Sequence, residues 1–295
     1  MRRPKELPEE AGELNLYLVR HGQTEGNVQR SLYRDKADHA IRLTAEGVRQ
    51  ANEAGAYLAR ILRQQSSGEE RRIAPTRVWY SPYYRARETA GHILRQLFAV
   101  GAAPGELSHR EEPFLIEQKA GIFDGLDEAE FSELHPDASR DYDKHVRYNG
   151  RVYAISPMGE SRLDVVIRCK HFFGTLIDDF RTHGVRNVVV VSHGVTLRAF
   201  VMAWMRYSPE WFDAERNPGN CWIRHLHGAR RTGYVDEGYI FGENAPLRDP
   251  AATQRELPGA GEIFMLQPDR RGAVLPKGVS PFNPFDEQQK VSREQ

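Results

Sequence analysis

The sequence predicts an α/β fold, a three-layer αβα sandwich around a mainly parallel sheet, and three observations carry that expectation. The run Asn187-Val188-Val189-Val190-Val191-Ser192 is β-branched at its centre, as a strand buried on both faces should be. Two further apolar runs of strand length, Leu14–Arg20 and Arg77–Tyr80, stop at polar or turn-forming residues. Segments of helical period lie between the runs, and strand alternating with helix from Leu14 to Leu226 implies crossovers that cover both faces of one sheet.

The elements follow in chain order. Leu14 to Val19 deliver Arg20 and His21 to the carboxyl end of a strand, where open α/β sheets bind ligands. Gly22 and Gly26 are expected to let backbone amides approach an anion. After a polar, irregular stretch, Arg30 to Arg42, Thr44 is a plausible N-cap for a helix with Ala51, Gly55, Leu58 and Leu62 on one face. Gln64 to Ile73 is a charged loop. The strand at Arg77–Tyr80 ends at Ser81-Pro82 and hands over to an Arg85-bearing helix that runs to about Phe98.

Ala99 to His109 reads as a glycine and proline linker. Phe114-Leu115-Ile116 is a third apolar run, stopping at Glu117. From Leu126 to Met158 the pattern weakens to one short helix, about Asp127 to Leu134, and then an irregular stretch of the kind that forms lids and binding loops. Gly159-Glu160-Ser161 opens a helix with a core stripe of Val165, Val166, Cys169, Phe172, Phe173, Leu176 and Ile177. The valine-rich strand ends at His193 and Gly194, and a helix follows to about Met205. Cys221 to His227 and Tyr239 to Phe241 read as late strands, antiparallel at an edge.

The domain organisation expected from this is an N-terminal extension over residues 1–13, a single domain over 14–243 with a lid or insert at 126–158, and a flexible C-terminal extension over 244–295, strand-like only at Glu262 to Leu266. With 41 basic and 41 acidic residues the 295-residue chain carries no net charge, which argues against nucleic acid or a membrane surface as the main partner. No signal peptide or spanning segment is evident, so a cytoplasmic protein is expected. Cys169 and Cys221 lack metal or disulfide spacing and read as small buried residues.

The chemistry-bearing residues gather past the strand ends: Arg20-His21-Gly22, Ser81-Pro82 with Arg85, Glu117, and Ser192-His193-Gly194. A histidine in such a place is either a satisfied strand-end residue or a nucleophile, since neutral imidazole attacks phosphorus unaided. Bidentate guanidinium groups match the oxygens of a phosphate monoester, and their field disfavours protonation of a neighbouring imidazole.

In order and spacing the chain resembles the histidine phosphatase superfamily, in its phosphoglycerate mutase-like branch. The matches are Arg20-His21-Gly22-x-Thr24-x-x-Asn27, Leu43-Thr44-x-x-Gly47-x-x-Gln50-Ala51, Ser81-Pro82-x-x-Arg85-Ala86-x-x-Thr89, Glu117-x-x-x-Gly121, Gly159-Glu160-Ser161 and Ser192-His193-Gly194-x-x-x-Arg198. Asn217-Pro218-Gly219-Asn220-Cys221 with Glu117-Gln118 is similar to the broad-specificity phosphatases of plants and fungi. Phe123-Asp124-Gly125 and Ile116 depart from the family pattern.

The resemblance implies a metal-independent phosphatase, without cofactor, acting on phosphate monoesters of small metabolites. His21 would form a phosphohistidine, Glu117 would be proton donor and base, and His193 would stabilise the phosphoryl group beside Arg20, Asn27, Arg85, Thr24 and Gly194. Asp124 and Glu160 are alternative acids, Arg198 is expected to steady the rim by an ion pair, and Thr24 and Ser192 either touch phosphate or satisfy backbone groups. The cluster Tyr142, Lys144, His145, Arg147, Tyr148, Arg151 and Tyr153 is a solvated loop or a substrate-reading lid. Rival readings are a phosphoglycerate-type mutase, whose Glu-Arg-x-x-Tyr-Gly arrangement is missing at Glu117-Gln118-Lys119-Ala120-Gly121, and a silent phospho-ligand binding protein. A homodimer is left open.

Overall fold

Alternation of side chains along buried strands organises the molecule. The computed structural model describes residues 12–64, 73–100, 105–229 and 232–242. The expected terminal extensions therefore lie outside the described residues, apart from Gly12 and Glu13 at the start, as does most of the 64–73 loop. Among the described residues the strands are β1 (Leu14–Arg20), β2 (Thr76–Tyr80), β3 (Leu107–Glu111), β4 (Asn187–Ser192), β5 (Ile223–Ala229) and β6 (Gly233–Phe241), in one sheet of order β3-β2-β4-β1-β5-β6. β1, β2, β3 and β4 run parallel, and β5 and β6 close one side antiparallel, as expected for the late strands. The αβα sandwich expected from the sequence is the fold observed.

The period of two then assigns helices to faces. Leu14, Leu16, Leu18, Val188 and Val190 point to one side, onto α7 (Arg162–Thr182), α8 (Gly194–Met205) and α9 (Pro209–Ala214). Tyr17, Val19, Val78, Val189 and Val191 point to the other, onto α3 (Ala45–Gln64) and α4 (Tyr84–Ala99). Short helices α1 (Glu25–Val28) and α2 (Leu32–Asp35) lie between β1 and α3, and α5 (Glu128–Leu134) and α6 (Pro136–Asn149) between β3 and α7. Both cysteines are buried and free, as expected.

Four local readings are corrected. The 99–109 linker runs into edge strand β3, whose Leu107 alone is buried; a polar edge strand carries no apolar run to detect. Pro113–Leu115 is a 3-10 turn rather than a strand, begun by proline and capped by the Glu112 carboxylate. The irregular stretch after Leu134 contains α6, which starts on Pro136, ends at Gly150 with φ +82° and buries no residue, so it lacks the stripe by which helices are read. Ile177 is partly exposed, 39%, and lies off the α7 stripe.

Asp179, buried on α7, accepts from the Arg77 guanidinium and from Trp79 Nε1 at 2.9 Å, tying that helix to β2. Asp179→Ala should lower the free energy of unfolding in urea by about 3 kcal/mol, because it strands a buried guanidinium. A loss within experimental error would show the tie to be dispensable.

Candidate active site

Parallel β1, β2 and β4 end at one level, and that alignment assembles the site. Arg20 stands opposite Ser192 in the register, His21 N donates to Ser192 O at 2.9 Å, and Ser81 N donates to Val191 O at 3.0 Å. His21, Ser81 and His193 thus leave the sheet side by side. The imidazoles of His21 and His193 meet edge to face with centroids 5.2 Å apart.

Hydrogen bonding sets both tautomers. His21 Nδ1 lies 2.8 Å from Gly22 O, and a carbonyl only accepts, so Nδ1 carries the hydrogen and Nε2 the lone pair. Arg85 Nε is 3.2 Å from His193 Nδ1, and a guanidinium only donates, so His193 is protonated on Nε2, which donates to Ser81 Oγ at 2.8 Å. Burial is the largest cause holding both imidazoles well below the usual histidine value, and the charges of Arg85 and Arg20 add to it.

Arg85 is buried and Arg20 partly so. Arg20 donates from Nη1 to Pro218 O at 2.6 Å, while its buried Nε has no hydrogen-bond partner among the described residues. Arg85 donates to His193, to Asp38 O at 2.6 Å and to the two Asp38 carboxylate oxygens at 2.8 and 3.3 Å, so four of its five N–H donors are committed. Tyr83 packs over Arg85 and edge-on to His193.

Glu117 arrives from the turn after β3 and lies against the start of α8. Its carboxylate accepts from Val195 N (3.3 Å), Thr196 N (3.2 Å), Thr196 Oγ1 (3.1 Å) and Gln118 N (2.9 Å). The turn is fixed from outside: Arg168 on α7 donates to Phe114 O and pairs with Glu160, which also accepts from Lys119 N, while Gln118 Nε2 donates to Glu160 O at 2.7 Å. Glu160, an alternative acid, is thereby held in an ion pair. Asp124, the other, has its carboxyl pushed up by partial burial and by the charge of Asp38.

Several expected contacts have other occupants. The Gly22 amide donates to Thr89 Oγ1 at 3.0 Å rather than facing an anion, and a Cβ on Gly22 would sit 2.5 Å from Gly47 O. These two glycines let the turn after β1 rest on the first turn of α3. Gly26 makes room for the Tyr33 ring. Thr24 Oγ caps α1 by accepting from Asn27 N, and Ser192 Oγ donates to Leu115 O. Asn27 Oδ1 accepts from Thr24 N and Asn220 Nδ2, leaving its NH2 as the donating half of the side chain. Gly194 opens α8 beside Asn217. Among the described residues Arg198 has no ion-pair partner: it donates to Phe212 O and Glu215 O at the end of α9 and stacks on Phe212. Of the residues expected in the lid, Tyr142 on α6 meets Phe123 edge to face, at 4.8 Å.

The sequence reading passed over Asp38, Tyr83, Arg168 and Asn220 as site residues. Asn220 donates to His21 O at 3.0 Å, and Cys221 N to Arg20 O at 3.1 Å, so the 217–221 segment clasps the end of β1. Arg168 did leave a signal, a charge within the buried stripe of α7. Asp38 left none, since it sits in a polar stretch without period.

A family model described as "Histidine phosphatase superfamily (branch 1)" matches residues 16–237. Phosphoglycerate mutase-like protein AT74 of Arabidopsis thaliana is 36% identical over 217 residues, 71% of this chain, which spans 63% of that relative's length. A 2,3-bisphosphoglycerate-dependent phosphoglycerate mutase of Azorhizobium caulinodans is 34% identical over 66% of this chain and 83% of its own. In fold the chain is similar to mycobacterial glucosyl-3-phosphoglycerate phosphatase Rv2419c in complex with VO3, with TM-score 0.56, 24% identity, and coverage of 76% and 97%.

Two expectations follow from this geometry. Unfolded histidines protonate near pH 6.5 whereas buried His21 and His193 stay neutral below it, so the unfolded state binds more protons and stability falls as pH drops below 6.5. The decline, read by urea unfolding at about pH 7.5 and about pH 5.5, should be shallower in a His21→Asn, His193→Asn protein; an identical decline would place the acid sensitivity elsewhere. Gly47→Ala would set a Cβ 2.0 Å from Gln23 O and shift the turn bearing His21. It should cost about 2 kcal/mol of stability, and a neutral result would mean the turn relaxes freely.

Proposed function

The chain belongs to the histidine phosphatase superfamily, branch 1, and on that premise we propose that it is a phosphatase hydrolysing phosphate monoesters of small metabolites through a phosphohistidine on His21. The observation that carries this reading is the tautomer of His21: with Nδ1–H on Gly22 O and protonation disfavoured by burial, Arg85 and Arg20, Nε2 presents a lone pair to the rim.

In the first step Nε2 forms a bond to phosphorus as the ester P–O bond breaks, and Glu117 gives a proton to the departing alkoxide. In the second, Glu117 takes a proton from water, whose oxygen bonds to phosphorus as the Nε2–P bond breaks, releasing inorganic phosphate and returning His21 to the neutral form. Arg20, the uncommitted N–H of Arg85 and the NH2 of Asn27 are donors for the transferring oxygens, the role a magnesium ion fills in other phosphoryl transfers, while His193, whose Nε2–H goes to Ser81 Oγ, supports the phosphoryl site through Arg85. Glu117 beside Val195 and Thr196 is close enough to Arg20 to interact with it electrostatically, which favours it as the acid over Glu160. A family that includes phosphatases and mutases supports phosphoryl transfer in either case; the missing Glu-Arg-x-x-Tyr-Gly arrangement at Glu117 favours transfer to water. No described helix is long and apolar enough to cross a membrane, and a cytoplasmic site of action is part of the proposal.

Phosphate release from sugar phosphates, nucleotides, phosphoglycerates and p-nitrophenyl phosphate, with chelator present, tests the reading. The wild type should release phosphate and His21→Ala should not; isomerisation of a phosphoglycerate without release would favour the mutase, and activity restored only by magnesium would end the metal-free mechanism. Glu117→Gln should slow alkyl esters by about 10² to 10⁴ while affecting p-nitrophenyl phosphate far less, because that leaving group scarcely needs a proton. Equal losses would move the acid role to another carboxylate.

A further inference from the structure

We propose that Asp38 sets the charge class of the substrate, admitting phosphate esters of neutral or cationic alcohols and turning away esters that carry a second anionic group. This rests on the phosphatase reading above and names the substrate class of that same site.

Arg85 lies between two different partners. On its buried side Nε meets His193; on its other side both terminal nitrogens meet the carboxylate of Asp38, whose side chain is 36% exposed. His21 meets His193 edge to face on that buried side, so on this proposal a phosphoryl group on His21 sits there and the remainder of the substrate leaves along the exposed side, past Asp38. Asp124, the second carboxylate there, interacts electrostatically with Asp38, and Tyr83 interacts with Asp38 and Glu117 as well as with Arg85 and Arg168.

Arg85 is the cation paired with Asp38, and the 30–42 segment that carries Asp38 adds no further free one. Four lysines and arginines occur between residues 30 and 42, and each is engaged elsewhere. Arg30 donates to Leu126 O, Arg34 to Gly125 O and Glu130, Lys36 to Glu25 and Arg42 to Glu88. The His39 ring packs against Tyr84. A carboxylate or second phosphate on the leaving group would therefore meet carboxylates along this wall, without a further guanidinium to receive it. Asp38 also limits Arg85 to one uncommitted N–H, so inorganic phosphate competes with an internal carboxylate for a bidentate grip.

Glycerol 3-phosphate and 3-phosphoglycerate isolate the effect, since they differ by a neutral hydroxymethyl against a carboxylate. The wild type should favour glycerol 3-phosphate in kcat/KM by about tenfold or more. Asp38→Asn should bring the ratio within about threefold by improving 3-phosphoglycerate, and should strengthen inhibition by inorganic phosphate; Asp38→Glu should keep the wild-type ratio. An unchanged ratio in Asp38→Asn, or weaker phosphate inhibition, would overturn the proposal and leave Asp38 as a support for Arg85. Should Asp38→Asn not fold, the wild-type ratio must still shrink between about 0.05 and about 0.5 M salt, and constancy there would overturn it equally. If no ester is turned over, the phosphatase reading fails by itself, and calorimetric binding of the same two esters to wild type and variant still decides the role of Asp38.

Discussion

The structure depends on keeping two buried imidazoles uncharged beside two guanidinium groups. Burying a charged group is costly unless its hydrogen bonds are met, and here distant parts of the chain meet most of them, Arg20 Nε excepted. Pro218 O takes Arg20, while His193 and Asp38 take Arg85. Burial first, and then the same cations, keep His21 and His193 from protonating. Removing one member would alter the charge state of the others, and the cluster is best regarded as a single unit.

That unit needs a stiff frame, which the sheet and its two glycine contacts supply. Adjacent parallel strands β1, β4 and β2 bring Arg20, Ser192 and Tyr80 to one level, and only a short turn separates each from its reacting group. Gly22 against Gly47 removes the slack from the turn after β1. Glu117 lacks a strand of its own beneath it. Its turn is fastened instead by Arg168, Glu160 and Gln118, so a residue expected from the sequence at a strand end is placed by an ion pair from the far side of α7.

The parts legible in the sequence were those with a strong periodic or motif signal. The β-branched strand β4, the stripe of α7, the N-cap at Thr44 and the mainly parallel sheet implied by alternating strands and helices all follow from local chemistry. Edge strand β3 and polar helix α6 escaped because neither buries an apolar face of its own. Gly22 illustrates a subtler gap. Its place after a strand suggested an anion-binding amide, whereas its use is to let two backbones touch, and nothing local distinguishes those demands.

The sequence by itself determined the family, the layering of the sandwich and the set of polar residues delivered to the strand ends, because hydrophobic period and motif spacing are properties of short stretches. Tertiary structure alone decided how those residues pair. Which nitrogen of His21 bears the hydrogen depends on the carbonyl of its neighbour in a particular turn, and the hold of Asp38 on Arg85 joins positions 47 residues apart. Asn220 reaches His21 across 199 residues. Such contacts arise from long-range packing, which leaves no periodic trace in the chain, and they are what join separate motif residues into one cluster.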